Sequence, residues 1–159
     1  MKRAVVFFLL LTLFCVFNAY ALDSKIVDLR DQVLGQAQEI RGLMTPKTKD
    51  SVVLTAMFDS CILTATQLDA YFSMLGIFET LTKKDSGESA IKFITAWLGT
   101  VKNSNKLGIS NLDAFKPAEK KIKEQVKKLK DSFVALDGLI DVELRKFSAL
   151  SISARQPKN

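Results

Sequence analysis

No histidine occurs anywhere in the 159 residues. That absence excludes Ser-His-Asp and Cys-His nucleophile pairs, and any His-ligated metal or haem. Cysteine is nearly absent as well: Cys15 and Cys61 build neither a disulfide scaffold nor a Cys-rich zinc or iron–sulfur site. With three prolines and seven glycines the chain carries little punctuation, and most of it falls between long periodic stretches. No segment alternates apolar and polar residues with period two, so half-buried strands are not expected. Nor does the chain hold a Glu-x-x-His pair, a phosphate-cradling glycine loop or a nucleophile elbow.

What is present begins with a leader. Met1-Lys2-Arg3 is basic, Ala4 to Phe17 carries no charge, and Ala19-Tyr20-Ala21 places small residues at −3 and −1 of a cleavage site. That order reads as a secretory signal peptide over 1–21, cut after Ala21. A membrane anchor needs roughly 20 apolar residues to cross ~30 Å of hydrocarbon, and this run is shorter. Bulky Phe14 directly before Cys15 does not fit a lipobox. Removal of Lys2 and Arg3 with the leader lowers the formal charge from +6 to about +4. The expected localisation is secreted or periplasmic. One remaining thiol, Cys61, cannot close an internal disulfide, so core burial must supply the stability.

Residues 22–150 read as a helical domain and 151–159 as a polar, flexible tail. A first amphipathic helix is expected over Lys25–Met44, with Ile26, Leu29, Val33, Ala37, Ile40 and Met44 on one face and Asp23 or Ser24 as its cap. Thr45-Pro46 marks the next start. From about Lys47 to Leu81 the residues Leu54, Met57, Cys61, Thr64, Leu68, Tyr71, Leu75 and Phe78 recur at alternating spacings of three and four, a coiled-coil-like seam. Phe58, Ile62, Ala65 and Phe72 form a second stripe beside it.

A break at Lys83–Gly87 follows, with Asp85 and Glu88 at capping-box spacing. The third helix is expected over Glu88–Lys102, with Ile91, Ile94, Trp97, Leu98 and Val101 apolar. Polar, glycine-bearing Asn103–Lys116 reads as a loop with at most one short turn. Pro117 then opens a fourth helix to about Leu150, whose seam holds Ile122, Val126, Leu129, Phe133, Leu136, Ile140, Leu144 and Phe147. The fold class is therefore all-α, an up-down four-helix bundle with two long and two shorter helices.

Charge is unevenly spread. Between Ser51 and Thr82 only Asp59, Asp69 and Glu79 are charged, and between Ser89 and Asn105 only Lys92 and Lys102. Helices with so little charge bury more than one side. The second helix is then the central helix of the bundle, or the second and third helices bury a further face in a homodimer or partner interface. A stable membrane span after leader cleavage is not expected, because each central Asp costs roughly 2.5–3.5 kcal/mol on insertion scales. Lys116, Lys120, Lys121, Lys123, Lys127, Lys128 and Lys130 crowd the start of the fourth helix. The cluster suits an anionic envelope surface or an acidic protein, or is simply a solvated face. Nucleic acid is not expected, since no aromatics interleave these lysines.

Asp59 and Asp69 stand about 280° apart around their helix, so they do not converge as a catalytic or di-metal carboxylate pair. No enzyme activity, cofactor or metal is expected. The sequence points to an exported helical-bundle protein that binds another macromolecule, an unknown protein or anionic surface, and that self-associates. The alternative is a carrier of a small apolar ligand or lipid held between the helices.

Overall fold

The structure, a computed structural model, describes residues 24–45, 48–81 and 87–153. The leader, Pro46, the Asp85 cap and 154–159 lie outside the described residues. The described chain is all-helical, without strands: α1 over 24–43, α2 Ser51–Leu81, α3 Gly87–Ala114 and α4 Lys120–Ser153. The four form a helical bundle around two apolar clusters, and each cluster draws residues from every helix. One joins Ile26, Leu68, Tyr71, Leu98, Leu136 and Phe147; the other joins Val33, Ile40, Met57, Leu112, Leu129 and Phe133.

The seam expected on α2 faces inward: Leu54, Met57, Cys61, Leu68 and Tyr71 are all buried. Full burial of each large side chain contributes about 1.5–3 kcal/mol, which is what holds helices with so few cross-links. The second stripe divides. Ala65 is buried, Phe58 and Phe72 are half-buried, and Ile62 is exposed.

Two boundaries depart from expectation. Asn103–Lys116 is not a loop, because α3 runs unbroken to Ala114 and is nearly as long as α2. Asn, Ser and Gly are weak helix formers, but Val101, Asn105, Gly108 and Leu112 all turn toward the bundle interior. The Asn105 side-chain amide donates to the Phe133 carbonyl at 2.7 Å. At Gly108 a Cβ would fall 2.7 Å from Cε2 of the buried Phe133 ring, so only glycine lets α4 come this close. Tertiary packing outweighs local propensity here. At the other end, α4 continues to Ser153, three residues into the stretch read as a tail, and it begins at Lys120, after a buried Pro117.

Helix starts are tied together rather than capped one by one. The Asp50 carbonyl accepts the first bond of α2 from the Leu54 amide at 3.0 Å. Its carboxylate Oδ2 accepts the amides of Ala118 (2.9 Å) and Glu119 (3.3 Å) at the entrance to α4. The beginnings of α2 and α4 therefore lie side by side.

Gly108→Ala is expected to destabilise the fold by about 1–3 kcal/mol, because the added Cβ forces the buried Phe133 ring or the helix to shift. Gly138→Ala on α4 meets nothing within 4 Å and is expected to stabilise by roughly 0.5–1 kcal/mol. Urea-denaturation midpoints of the two variants check both signs.

Candidate functional site

One residue before each core position, α2 and α3 carry a second set at the same alternating spacing. On α2 it comprises Ser60, Leu63, Gln67, Ala70, Met74 and Ile77; on α3, Ala90, Phe93, Trp97, Thr100, Ser104 and Leu107. None is charged. A step of one residue turns the side chain about 100° away from the core. In an antiparallel pair both sets turn toward each other, so they meet on the outer side of the α2/α3 hairpin. The contacts place them there: the Gln67 amide donates to Ser104 Oγ at 3.1 Å, and Trp97 Nε1 donates to the Gln67 carbonyl at 3.3 Å.

Four large apolar side chains of this seam are mostly in solvent. Leu63 is 52%, Ile77 57%, Phe93 62% and Leu107 63% exposed. They gather in two places. Ile77 and Phe93 border an apolar cleft of about 200 Å³ with Met74, Phe78, Ala90 and Ile94. Two heptads away, Leu63 and Leu107 border a smaller, mixed cleft of about 130 Å³, floored by Gly108 and Phe133. Exposed apolar side chains scattered singly need no explanation, but two pairs on one uncharged stripe single this face out as the candidate site. Trp97, on the apolar face expected for α3, is half-buried: it packs against the first core cluster and borders this outer seam.

Of the seven lysines, Lys116 precedes α4; Lys120, Lys123, Lys127 and Lys130 recur at spacings of three and four and share one stripe of the helix within about 80°, while Lys121 and Lys128 lie on another side. Lys128 Nζ lies 3.5 Å from Glu39 of α1, Lys130 pairs with Asp113 of α3, and Lys120 stands 4.0 Å from Glu124. Lys116, Lys121, Lys123 and Lys127 are exposed and make no ion pair among the described residues. Lys128 and Glu39 also border a polar groove of about 420 Å³ between α1 and α4, with Gln32, Gln36 and Asp131. A hydrogen bond from Gln125 and the nearby Lys128 ammonium hold the Glu39 carboxyl below the usual range. A hydrogen bond from Lys102 does the same for Asp141, helped by its charge.

Asp59 is exposed, and Asp69 accepts a 2.6 Å bond from Arg30 of α1. Glu143 is fully buried and accepts from the Tyr71 hydroxyl, joining α4 to α2. Among the described residues, no group of three or more acidic or thiol side chains is placed to hold a metal ion. Ser51–Phe78 is long and apolar enough to cross a membrane by length and composition alone. In this fold α2 turns one side to the core and another to the outer seam.

The low charge of the second and third helices pointed in the sequence to a further face, but its residues were not picked out because half of them are Ser, Gln, Thr and Ala, which break up an apolar stripe. No protein-family model matches this chain, and no curated protein or solved structure shows significant similarity to it.

Cys61, buried between α2 and its neighbours, has its thiol pushed up to about 12 by burial. The native protein is therefore expected to resist a disulfide reagent at pH 8 and to react stoichiometrically in denaturant; rapid labelling of the folded chain would contradict the burial. Because Asp141 and Glu39 are held low, the stability they contribute is present above the ordinary carboxylate pKa of about 4 and is lost as pH falls through the native values. Thermal midpoints followed from pH 6 to pH 2 should fall, and Asp141→Asn should flatten that slope slightly, as suits a partly exposed pair.

Proposed function

We propose that this protein is an exported, non-enzymatic up-and-down four-helix bundle that acts by docking another protein on the outer α2/α3 face. The observation that carries the reading is the uncharged seam on which Leu63, Ile77, Phe93 and Leu107 each present more than half their surface to solvent. Fully apolar cores of protein interfaces are depleted in charge and rich in aromatic and aliphatic anchors, which is the make-up of this stripe. The basic n-region, the apolar run from Ala4 to Phe17 and Ala19-Tyr20-Ala21 support a secreted or periplasmic location after cleavage at Ala21.

The carrier reading has one observation in its favour, the apolar cleft beside Phe93. At about 200 Å³ it is smaller than the roughly 300–1,000 Å³ of small-molecule sites. It is sized for a side chain of a partner rather than for a lipid. An anionic surface remains the natural partner for the exposed lysines, of which Lys123 and Lys127 share one face of α4, but the other two lysines of that stripe, Lys120 and Lys130, already stand beside Glu124 and Asp113.

A photoreactive amino acid placed at Phe93 in the producing cell is expected to crosslink a protein chain, and the same group at Lys121 is not. Crosslinks from Lys121 alone would move the working surface to α4 and overturn the docking assignment. Mass spectrometry of the recovered chain should find Leu22 at its N-terminus.

A further inference from the structure

We propose that the lysine stripe of α4 is a second docking surface, for an anionic lipid bilayer, on which the bundle lies with α4 flat against the headgroups. The stripe shares no residue with the outer α2/α3 face, so this inference stands or falls apart from the protein docking assigned there.

Spacing makes the stripe. Lys120, Lys123, Lys127 and Lys130 fall within about 80° around α4, and Arg145 lies further along the same line. From Lys120 to Arg145 the row is about 38 Å long. Within that window α4 carries one carboxylate, Asp141, while Asp131 and Asp137 stand just beyond its two edges. Asp141 is itself ringed by cations: Lys102 of α3 bonds to it, and the charges of Arg145 and Lys106 help to hold its carboxyl low. Lys116, exposed, lies just ahead of the helix. Lys120 and Lys130 have Glu124 and Asp113 beside them. Both pairs are open to solvent, and the Lys120 side chain is 89% exposed. Such exposed pairs contribute little and exchange readily for another anion.

The shape of this surface selects a bilayer over a folded partner. Protein interfaces centre on large side chains seated in pockets. The stripe is instead the convex outer side of a helix, and none of its lysines borders the clefts described above. Between Lys120 and Arg145 the one large apolar side chain in line with the cations is Val134, which is 52% exposed. Nor does the row suit a single bound anion, since successive lysines stand about 5–6 Å apart on a curve and do not converge. A continuous negative plane needs no pocket. It favours a straight row of long, flexible cations, each contributing about a fivefold gain in partition close to the headgroups. A helix lying flat brings the whole row to that plane at once, with Val134 at the headgroup boundary. Export, as proposed above, releases the chain beside such a plane.

Flotation of the purified chain beginning at Leu22 tests this. At about 0.1 M salt it is expected to float with vesicles of phosphatidylglycerol mixed into phosphatidylcholine, and not with phosphatidylcholine alone. Raising the salt to about 0.5 M should release it, because screening then acts over a few ångströms. Lys123→Glu with Lys127→Glu should lower the partition roughly tenfold or more. Lys25→Glu with Lys121→Glu makes the same change in net charge off the stripe and should lower it less than about threefold. All four lysines are exposed, so circular dichroism should show unchanged helicity in both variants. An environment-sensitive dye on Val134→Cys should shift to the blue on the anionic vesicles, and the same dye on Leu63→Cys should not. Failure to float with the anionic vesicles overturns the proposal, as does an equal loss in the two charge-reversed variants. A shift at Leu63 without one at Val134 overturns it too. Retention on immobilised polyglutamate without vesicle binding would assign the stripe to an acidic protein instead.

Discussion

The contact between Gly108 and the Phe133 ring sets how closely α3 approaches α4, and much of the molecule follows from that distance. With the ring seated where a Cβ would otherwise stand, the Asn105 amide reaches the Phe133 carbonyl. The polar stretch after Lys102 then has a surface to fold against. Without it, α3 would have little reason to remain helical through Asn103, Ser104 and Asn105, whose side chains favour competing local hydrogen bonds. The extra turns carry Leu107 to the outer surface and Leu112 to the core. One missing methyl group thus lengthens a helix, closes one end of the core and completes the exposed seam.

A belt of polar side chains accompanies the apolar clusters. Exposed Gln32 and buried Gln36 of α1 donate to buried Ser132 of α4 at 3.1 and 3.0 Å, and Asn105 and Thr64 are buried as well. Among the described residues, Gln36 Oε1 and Asn105 Oδ1 have no hydrogen-bond partner. A buried, half-satisfied amide costs stability that an apolar residue would not. What such groups add is selectivity: a helix slid by one turn would separate Gln36 from Ser132 and leave more polar atoms stranded. The apolar seams are repetitive, and repetition alone permits slipped registers; the belt discriminates among them.

The inward faces of all four helices were legible in the sequence because their apolar residues recur at three and four. Leu68 and Phe133, the residues on which that reading most depended, are 1% exposed each. The true length of α3 was not legible. Local propensity is a statement about an isolated segment, and the residue that stabilises helix at Gly108 lies 25 positions away on another element. The outer seam was legible only as missing charge on the second and third helices. Hydrophobic periodicity detects stripes that are greasy throughout, whereas this one is greasy at intervals, so its residues did not stand out. The lysine cluster was legible in the sequence, and its spacing puts Lys120, Lys123, Lys127 and Lys130 on one side of α4; what the sequence did not show is that Lys128 and Lys130 pair with Glu39 of α1 and Asp113 of α3.

Asp50 has a consequence for how the bundle comes apart. Its main chain opens α2 while its carboxylate holds the amides that open α4, 68 positions further on. Two helix beginnings share a single anion, so neither can fray without unhooking the other. The end of the molecule where sequence neighbours are most distant is thereby clasped shut, and loosening there proceeds as one event rather than helix by helix.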